Sequence, residues 1–193
     1  VKNNIRFRCI GHIEKIPASV LREVQSTMQA TKDNTGMVLT FALSYGGRQE
    51  ITHAVQQIGQ LIEQGKLTSQ DINESLISGF MQTAPLDDPD LLIRTSGEWR
   101  LSNFLPWQSV YTELYFTDVL WPDFTIEDFS EALASLWKSS LLTPTKSYNL
   151  GAHFARPRDL SHFGSSCSFR GLVFFCDNRT LGRLLAGQPG GLF

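Results

Sequence analysis

Ile5-Arg6-Phe7-Arg8-Cys9-Ile10 alternates apolar and polar side chains and stops at Gly11, the period-two pattern of a strand. From Pro17 to about Thr31 the period changes. Val20, Leu21, Val24 and Met28 recur at helical spacing, and Pro17 suits a first turn. Asn34-Thr35-Gly36 is a turn signal. The run MVLTFAL, Met37 to Leu43, predicts a strand buried on both faces. After Tyr45-Gly46-Gly47-Arg48, the residues Ile51, Ala54, Val55, Ile58, Leu61 and Ile62 form one apolar stripe, which predicts a helix stopped at Gly65.

Thr68-Ser69-Gln70-Asp71 has the form of a capping box opening another helix. Pro85 to Pro89 reads as a loop, and Leu91-Leu92-Ile93 as a short strand. A further helix is expected from a cap at or near Ser102, carrying Trp107, Val110, Tyr111 and Leu114. Thr125-Ile126-Glu127-Asp128 opens a last helix through about Trp137. Strands alternating with helices predict an α/β domain with a mainly parallel central sheet flanked by helices. Three strands are few for such a sheet, so one or more βα units are expected upstream, making the fold incomplete at its N-terminal side. Residues 138–193 lack this periodicity. They are rich in Gly, Pro, Ser and Arg, with one strand-like burst from Leu172 to Phe175.

Charge marks the same boundary. Residues 1–136 hold 10 basic and 17 acidic side chains, a net −7, and residues 137–193 hold 7 basic and 2 acidic, a net +5. The expected division is therefore a domain over residues 1–136 and a poorly ordered tail over 137–193. No apolar run approaches the roughly 18–20 residues of a membrane span. Cys9, Cys167 and Cys176 make neither a disulfide framework nor a zinc ligand set. The acidic first part and the absence of a recognisable module in the tail argue against nucleic-acid binding.

The chemistry concentrates in DPDLLIRTSGEWRLSN, Asp88 to Asn103. Ligands of open α/β sheets bind outside the carboxyl ends of the strands, and Arg94 stands at such an end. Ser96-Gly97 allows a sharp turn that returns Arg100 to the same side. Two guanidinium forks and the Ser102 hydroxyl suit a diphosphate, since planar donors match phosphate oxygens. Ordinary salt bridges to Asp87, Asp88, Asp90 or Glu98 account for the arginines equally well. Glu113, a lone carboxylate among Val110, Tyr111, Leu114, Tyr115 and Phe116, needs a partner if buried. Mg²⁺ shared with substrate phosphates would supply one, and so would an arginine or lysine.

LTFALSYGGRQEI (Leu39–Ile51) and DPDLLIRTSGEWRLSNFLPWQSVYTELYFTDVLWPDF (Asp88–Phe124) resemble the two downstream signature regions of the cis-prenyltransferases. That family includes undecaprenyl and dehydrodolichyl diphosphate synthases. The resemblance covers residues 1–136, about the downstream half of a member. It implies condensation of isopentenyl diphosphate with an allylic diphosphate to give a cis-polyprenyl diphosphate. It implies that Arg94, Arg100 and Ser102 hold the diphosphate of isopentenyl diphosphate. It further implies that Glu113 helps bind Mg²⁺ across a dimer interface, and that Arg48 lies near the site or the dimer contact. A homodimer, or a heterodimer with a homologue, and peripheral membrane contact follow from the same resemblance.

The upstream motif with its DGNGRW-like aspartate is absent, as are the tunnel-wall helices and the arginine-rich, Phe-Gly-Gly-containing ending. The expectation is thus a fragment or truncated product, inactive alone. The alternative is a non-catalytic partner subunit. Three smaller departures are Pro106 early in the expected helix, Ser44 in place of a common Asn, and His12 in place of a frequent acidic residue. The compartment stays open between cytoplasmic and membrane-associated, or plastid if a targeting peptide lies upstream.

Overall fold

Strands β1 (Arg6–Ile10) and β2 (Val38–Ala42) run parallel, with Arg6 opposite Val38 and Ile10 opposite Ala42. They belong to a computed structural model that describes residues 3–84, 86–142 and 172–175. Helix α1 (Ala18–Thr31) joins them and packs on β1. Its last residue ties the two elements together. Thr31 Oγ1 accepts the Phe7 N–H at 3.0 Å and donates to the Thr27 carbonyl at 2.8 Å. The predicted turn is held by Asn34 Nδ2 on the Ile5 carbonyl (2.7 Å) and Gly36 N–H on the Asn4 carbonyl (3.1 Å).

β2 departs from its expected burial. Val38, Leu39 and Phe41 are 39%, 39% and 48% exposed. Among the described residues β2 pairs only with β1, so one edge and much of both faces stay open. Continuous apolar sequence signals a strand suited to burial, whatever covers it.

The described residues fall into two units, one from Val1–Leu86 with Ser102–Trp107, the other from Asp87–Leu101 with residues from Gln108 onward. In the first, α2 (Gly47–Glu63) buries Ala54 and Ile58 on its apolar stripe. Gly65, at φ +69°, ends it where the sequence placed the stop. The Thr68–Asp71 box forms, but it closes a 3-10 turn over Ser69–Asp71. Ile72 is extended, and α3 (Glu74–Gly79) begins afresh, capped by Asn73 Oδ1 on the Leu76 N–H at 2.9 Å.

In the second unit, β3 (Leu91–Arg94) lies between β4 (Glu113–Phe116) and β5 (Leu172–Phe175), parallel to both. Leu91 and Ile93 are 1% and 0% exposed and pack with Ala132 and Leu136 of α4 (Ile126–Leu142). Tyr115, Phe124, Phe129 and Leu133 close that core. Burying side chains of this size stabilises by about 1.5–3 kcal/mol each, so β3 is firmly anchored. Thr125 and Asp128 cap α4 reciprocally at 2.7 and 3.3 Å.

The helix expected from Ser102 through Leu114 does not form. Residues 102–111 make turns and bends, and Glu113 to Phe116 is strand. Ser102, Asn103 and Leu105 take φ of +46°, +65° and +47°, outside any right-handed helix, and the ELYF run pairs better as a strand beside β3. The tail expected over 137–193 lies outside the described residues except for the end of α4 and β5. No described helix is long and apolar enough to cross a membrane.

Candidate functional site

β3 ends at Arg94, whose carbonyl accepts the Thr117 N–H at 3.0 Å. The next step is a tight turn. Ser96 and Gly97 take φ of +72° and +67°, and their N–H groups donate to Val119 and Thr117 carbonyls at 2.9 and 3.0 Å. A Cβ on Gly97 would stand 2.9 Å from Asp118 Oδ1, too close to be accommodated without a shift. Glycine suits this position for its torsion, whereas the Asp118 carboxylate, the end of a side chain, can move aside for a Cβ.

The turn delivers Glu98 between the two arginines. Arg94 Nη2 lies 3.7 Å from Glu98 Oε2, and Arg100 Nη1 is ion-paired to the same oxygen. The structure therefore brings Arg94 and Arg100 together, through a carboxylate weighed at the sequence level only as a salt-bridge partner. Their settings differ sharply. The Arg94 side chain is 3% exposed and the Arg100 side chain 65%. Trp99, 74% exposed, stacks on Phe116 at 5.3 Å and braces the turn from outside. Two guanidiniums thus share one carboxylate at the carboxyl end of β3.

Ser102 belongs to the other unit and caps no helix, contrary to expectation. It is exposed, in a turn with positive φ. Its neighbour Asn103 reaches the start of α2 instead. The Asn103 carbonyl accepts the Gly47 N–H at 2.8 Å, Oδ1 accepts the Arg48 N–H at 2.9 Å, and Nδ2 donates to Gln49 Oε1 at 3.2 Å. A Cβ on Gly47 would overlap the ring of Pro106, so this glycine admits the loop. Pro106 thus sits in a loop that packs on α2 rather than early in a helix. Asn103 was missed in the sequence because nothing local marks a cap supplied from 55 residues away.

Arg48 is exposed on the first turn of α2 and, with His12, Gln49, Thr52, His53 and Gln56, lines an open cleft of about 350 Å³. His12 is bonded to Glu14 Oε1 at 2.9 Å, so an acidic group stands beside this position from two residues on. That contact and backbone hydrogen bonding at Glu14 itself, the larger influence, hold the Glu14 carboxyl below its ordinary range. Behind the turn, Tyr45 Oη donates to Glu50 Oε2 at 2.5 Å and its ring meets Phe104 edge-on at 5.7 Å.

Glu113 opens β4, opposite Leu91 at the start of β3, whereas Arg94 ends β3 opposite Phe116. In a parallel pair this puts Glu113 and Arg94 at opposite ends, three residue steps or about 10 Å apart along the strands. Glu113 is half-buried, and its N–H donates to the Asp90 carbonyl at 3.0 Å. Among the described residues no three His, Cys, Asp or Glu side chains gather as a metal site would require. Glu113 has the hard oxygen chemistry Mg²⁺ prefers, but it fits only as one contributor to a shared site.

Residues 1–140 match the family model described as "Putative undecaprenyl diphosphate synthase". An isoprenyl transferase of Geobacillus kaustophilus is 55% identical over 135 residues, 70% of this chain and 52% of that protein. An isoprenyl transferase of Bacillus subtilis is 50% identical over 133 residues, 69% of this chain and 51% of that protein. The crystal structure of lavandulyl diphosphate synthase from Lavandula x intermedia, in complex with dimethylallyl diphosphate, superposes with a TM-score of 0.67. It is 38% identical, over 70% of this chain and 58% of that one. The chain spans about half the length of the curated relatives it matches. With its parallel α/β architecture and this match over most of its length, the chain belongs to the cis-prenyltransferase (undecaprenyl diphosphate synthase) family.

Proposed function

We propose that this chain carries the isopentenyl-diphosphate half of a cis-prenyltransferase site, with Arg94, Arg100 and Ser102 as the diphosphate ligands and Arg48 near that site or at a dimer contact. The observation that carries this reading is the convergence of Arg94 and Arg100 on Glu98 beyond the carboxyl end of β3. The two guanidiniums already converge on one oxyanion, so a diphosphate that displaces Glu98 meets donors gathered in one place. Buried Arg94 supplies a fixed donor, and exposed Arg100 closes over the ligand.

In the full reaction an allylic diphosphate ionises and isopentenyl diphosphate attacks it. Held by its own diphosphate, isopentenyl diphosphate is presented in a fixed orientation, which is where positioning contributes to rate. Mg²⁺, when bound, would neutralise charge on the diphosphates, with Glu113 as a contributing ligand. The allylic half of the site has no counterpart in residues 1–193, so the chain alone is inactive in elongation. Residues 1–136 form the family domain, and 137–193 a non-family tail that supplies the end of α4 and β5 beside β3.

A second reading, a partner subunit for a homologous chain, draws support from Glu113, which lies at the far end of β4 from this chain's own arginines. The two readings agree on a dimer, of two copies or with a homologue, and on peripheral contact with a membrane that receives the polyprenyl product. Titrating isopentenyl diphosphate calorimetrically into the purified chain tests the site. Arg100→Ala should weaken binding by roughly 10- to 100-fold, the value of one charged hydrogen-bond pair. Undiminished binding by that variant, or none by the wild type, rejects the assignment. Incubation with farnesyl diphosphate, labelled isopentenyl diphosphate and Mg²⁺ should give no polyprenyl product unless a homologue is added.

A further inference from the structure

We propose that Asn103 is a positioning residue, locking the Ser102 loop to the first turn of α2 and so fixing Ser102 and Arg48 relative to each other. The inference rests on the reading of Ser102 as part of the diphosphate site and of Arg48 as near it.

The first N–H groups of a helix have no partner within it, and a side chain just before the helix usually supplies one. Gly46 occupies that position in α2 and has no side chain to offer. Asn103 takes the role from a distant loop. Its carbonyl and Oδ1 accept from Gly47 and Arg48, and its amide nitrogen donates to Gln49. All three groups are thus committed to three consecutive residues of one helix turn.

The surrounding residues are chosen for this contact. A Cβ on Gly46 would overlap Gln49 Oε1 and approach Asn103 Nδ2 to 2.8 Å, and one on Gly47 would overlap Pro106. Asn103 itself sits at φ +65° beside Ser102 at +46°. Asparagine tolerates this region better than most residues. Ser102 holds the strained torsion because its neighbour is tethered. Strain of this kind persists only where surrounding contacts enforce it, and it is concentrated at binding sites. The chain leaves Arg100 and reaches the tether three residues later, so whatever Ser102 and Arg48 bind is presented with a preset spacing.

Asn103→Gly tests the lock on the full 193-residue chain. Glycine keeps the backbone carbonyl and the torsion but deletes both side-chain bonds. Amide hydrogen exchange at Arg48 should accelerate on the order of fivefold, the worth of one cap. Affinity for isopentenyl diphosphate should fall by a similar factor while the melting temperature moves only a few degrees. Asn103→Ser, with a shorter acceptor, should recover part of both. Unchanged exchange at Arg48 overturns the lock. Faster exchange with unchanged affinity overturns its role in binding and leaves Asn103 a purely structural cap. If the wild-type chain binds no isopentenyl diphosphate, the site reading fails and takes the binding role with it. The exchange result still judges the lock separately.

Discussion

The phenol of Tyr45 donates to the carboxylate of Glu50 at 2.5 Å, from the end of β2 to the first turn of α2. Glu50 is 3% exposed, and its other oxygen accepts the Gln82 N–H at 2.8 Å. Gln82 in turn accepts the Gly11 N–H through Oε1 at 2.5 Å. One buried carboxylate thus joins the ends of β1 and β2, the start of α2 and the turn after α3. Removing it leaves two half-buried donors without this acceptor. Glu50→Ala should cost about 3 kcal/mol, read as a lower urea midpoint at unchanged m-value. A loss under 1 kcal/mol would contradict this account of the hub.

The same pair predicts an alkaline limit. Burial raises the Tyr45 phenol above its ordinary range, and the hydrogen bond and charge of Glu50 raise it further. A raised folded-state value means the folded chain keeps a proton that the unfolded chain gives up near pH 10. The stabilisation is therefore complete below pH 10 and lost as pH climbs beyond it, with a slope of up to about 1.4 kcal/mol per pH unit. Tyr45→Phe should flatten that slope between pH 9 and 11 in a series of urea titrations. An identical slope in both proteins would mean Tyr45 is not the group responsible.

Ser44 takes φ +51° immediately before Tyr45. The left-handed region costs an ordinary residue about 1–2 kcal/mol, and asparagine occupies it more readily. An asparagine at this position would have a backbone reason, and Ser44 is a local weakness. Ser44→Asn should raise stability by roughly 0.5–1 kcal/mol, visible as a melting temperature a few degrees higher. A neutral or destabilising result would show that the turn relaxes to a different torsion.

The periodic elements were legible in the sequence. Val20, Leu21, Val24 and Met28 marked α1, the stripe from Ile51 to Ile62 marked α2, and Leu91-Leu92-Ile93 marked β3, all within a residue or two. The failures share a cause. Trp107, Val110, Tyr111 and Leu114 fall at helical spacing, but pairing of Glu113–Phe116 with β3 overrides it, and local periodicity carries no information about a neighbouring strand. β2 read as buried because composition records what a strand is fit to meet. At the site, Arg94 and Arg100 could be found from a strand end and a turn. Glu98 between them could be weighed but not chosen over Asp87, Asp88 or Asp90. The reach of Asn103 to α2 is a tertiary contact with no local trace.

Arg94 and Arg100 share Glu98 yet should respond differently to deletion. Arg94 is buried, and although Glu98 keeps Arg100, truncating Arg94 empties the packed space its side chain fills. Arg94→Ala should cost about 3 kcal/mol of stability. Arg100 is largely exposed, and such pairs contribute under about 1 kcal/mol. Arg100→Ala should therefore fold nearly as well as wild type and lose ligand affinity alone. Chemical denaturation of both variants separates these outcomes. Equal stability losses would show that burial of Arg94 does not govern the energetics of the cluster.

β3 has two parallel neighbours of different origin. β4 lies within the family match over residues 1–140, whereas β5, Leu172–Phe175, lies beyond it. Its register runs from Leu172 opposite Leu91 to Phe175 opposite Arg94, the full length of the strand that ends at the arginine pair. Among the described residues, a strand beyond the family match thus pairs the edge of β3 opposite β4, where N–H and C=O groups flanked by Leu91, Leu92 and Ile93 would otherwise lack a strand partner in this chain. Such an apolar edge is a template for pairing with other chains. Ending the chain after Leu142 should speed amide exchange in residues 91–94 and increase self-association, read by exchange mass spectrometry and light scattering. Unchanged protection of those four amides would mean that β5 contributes nothing to holding β3, and with it Arg94, in place.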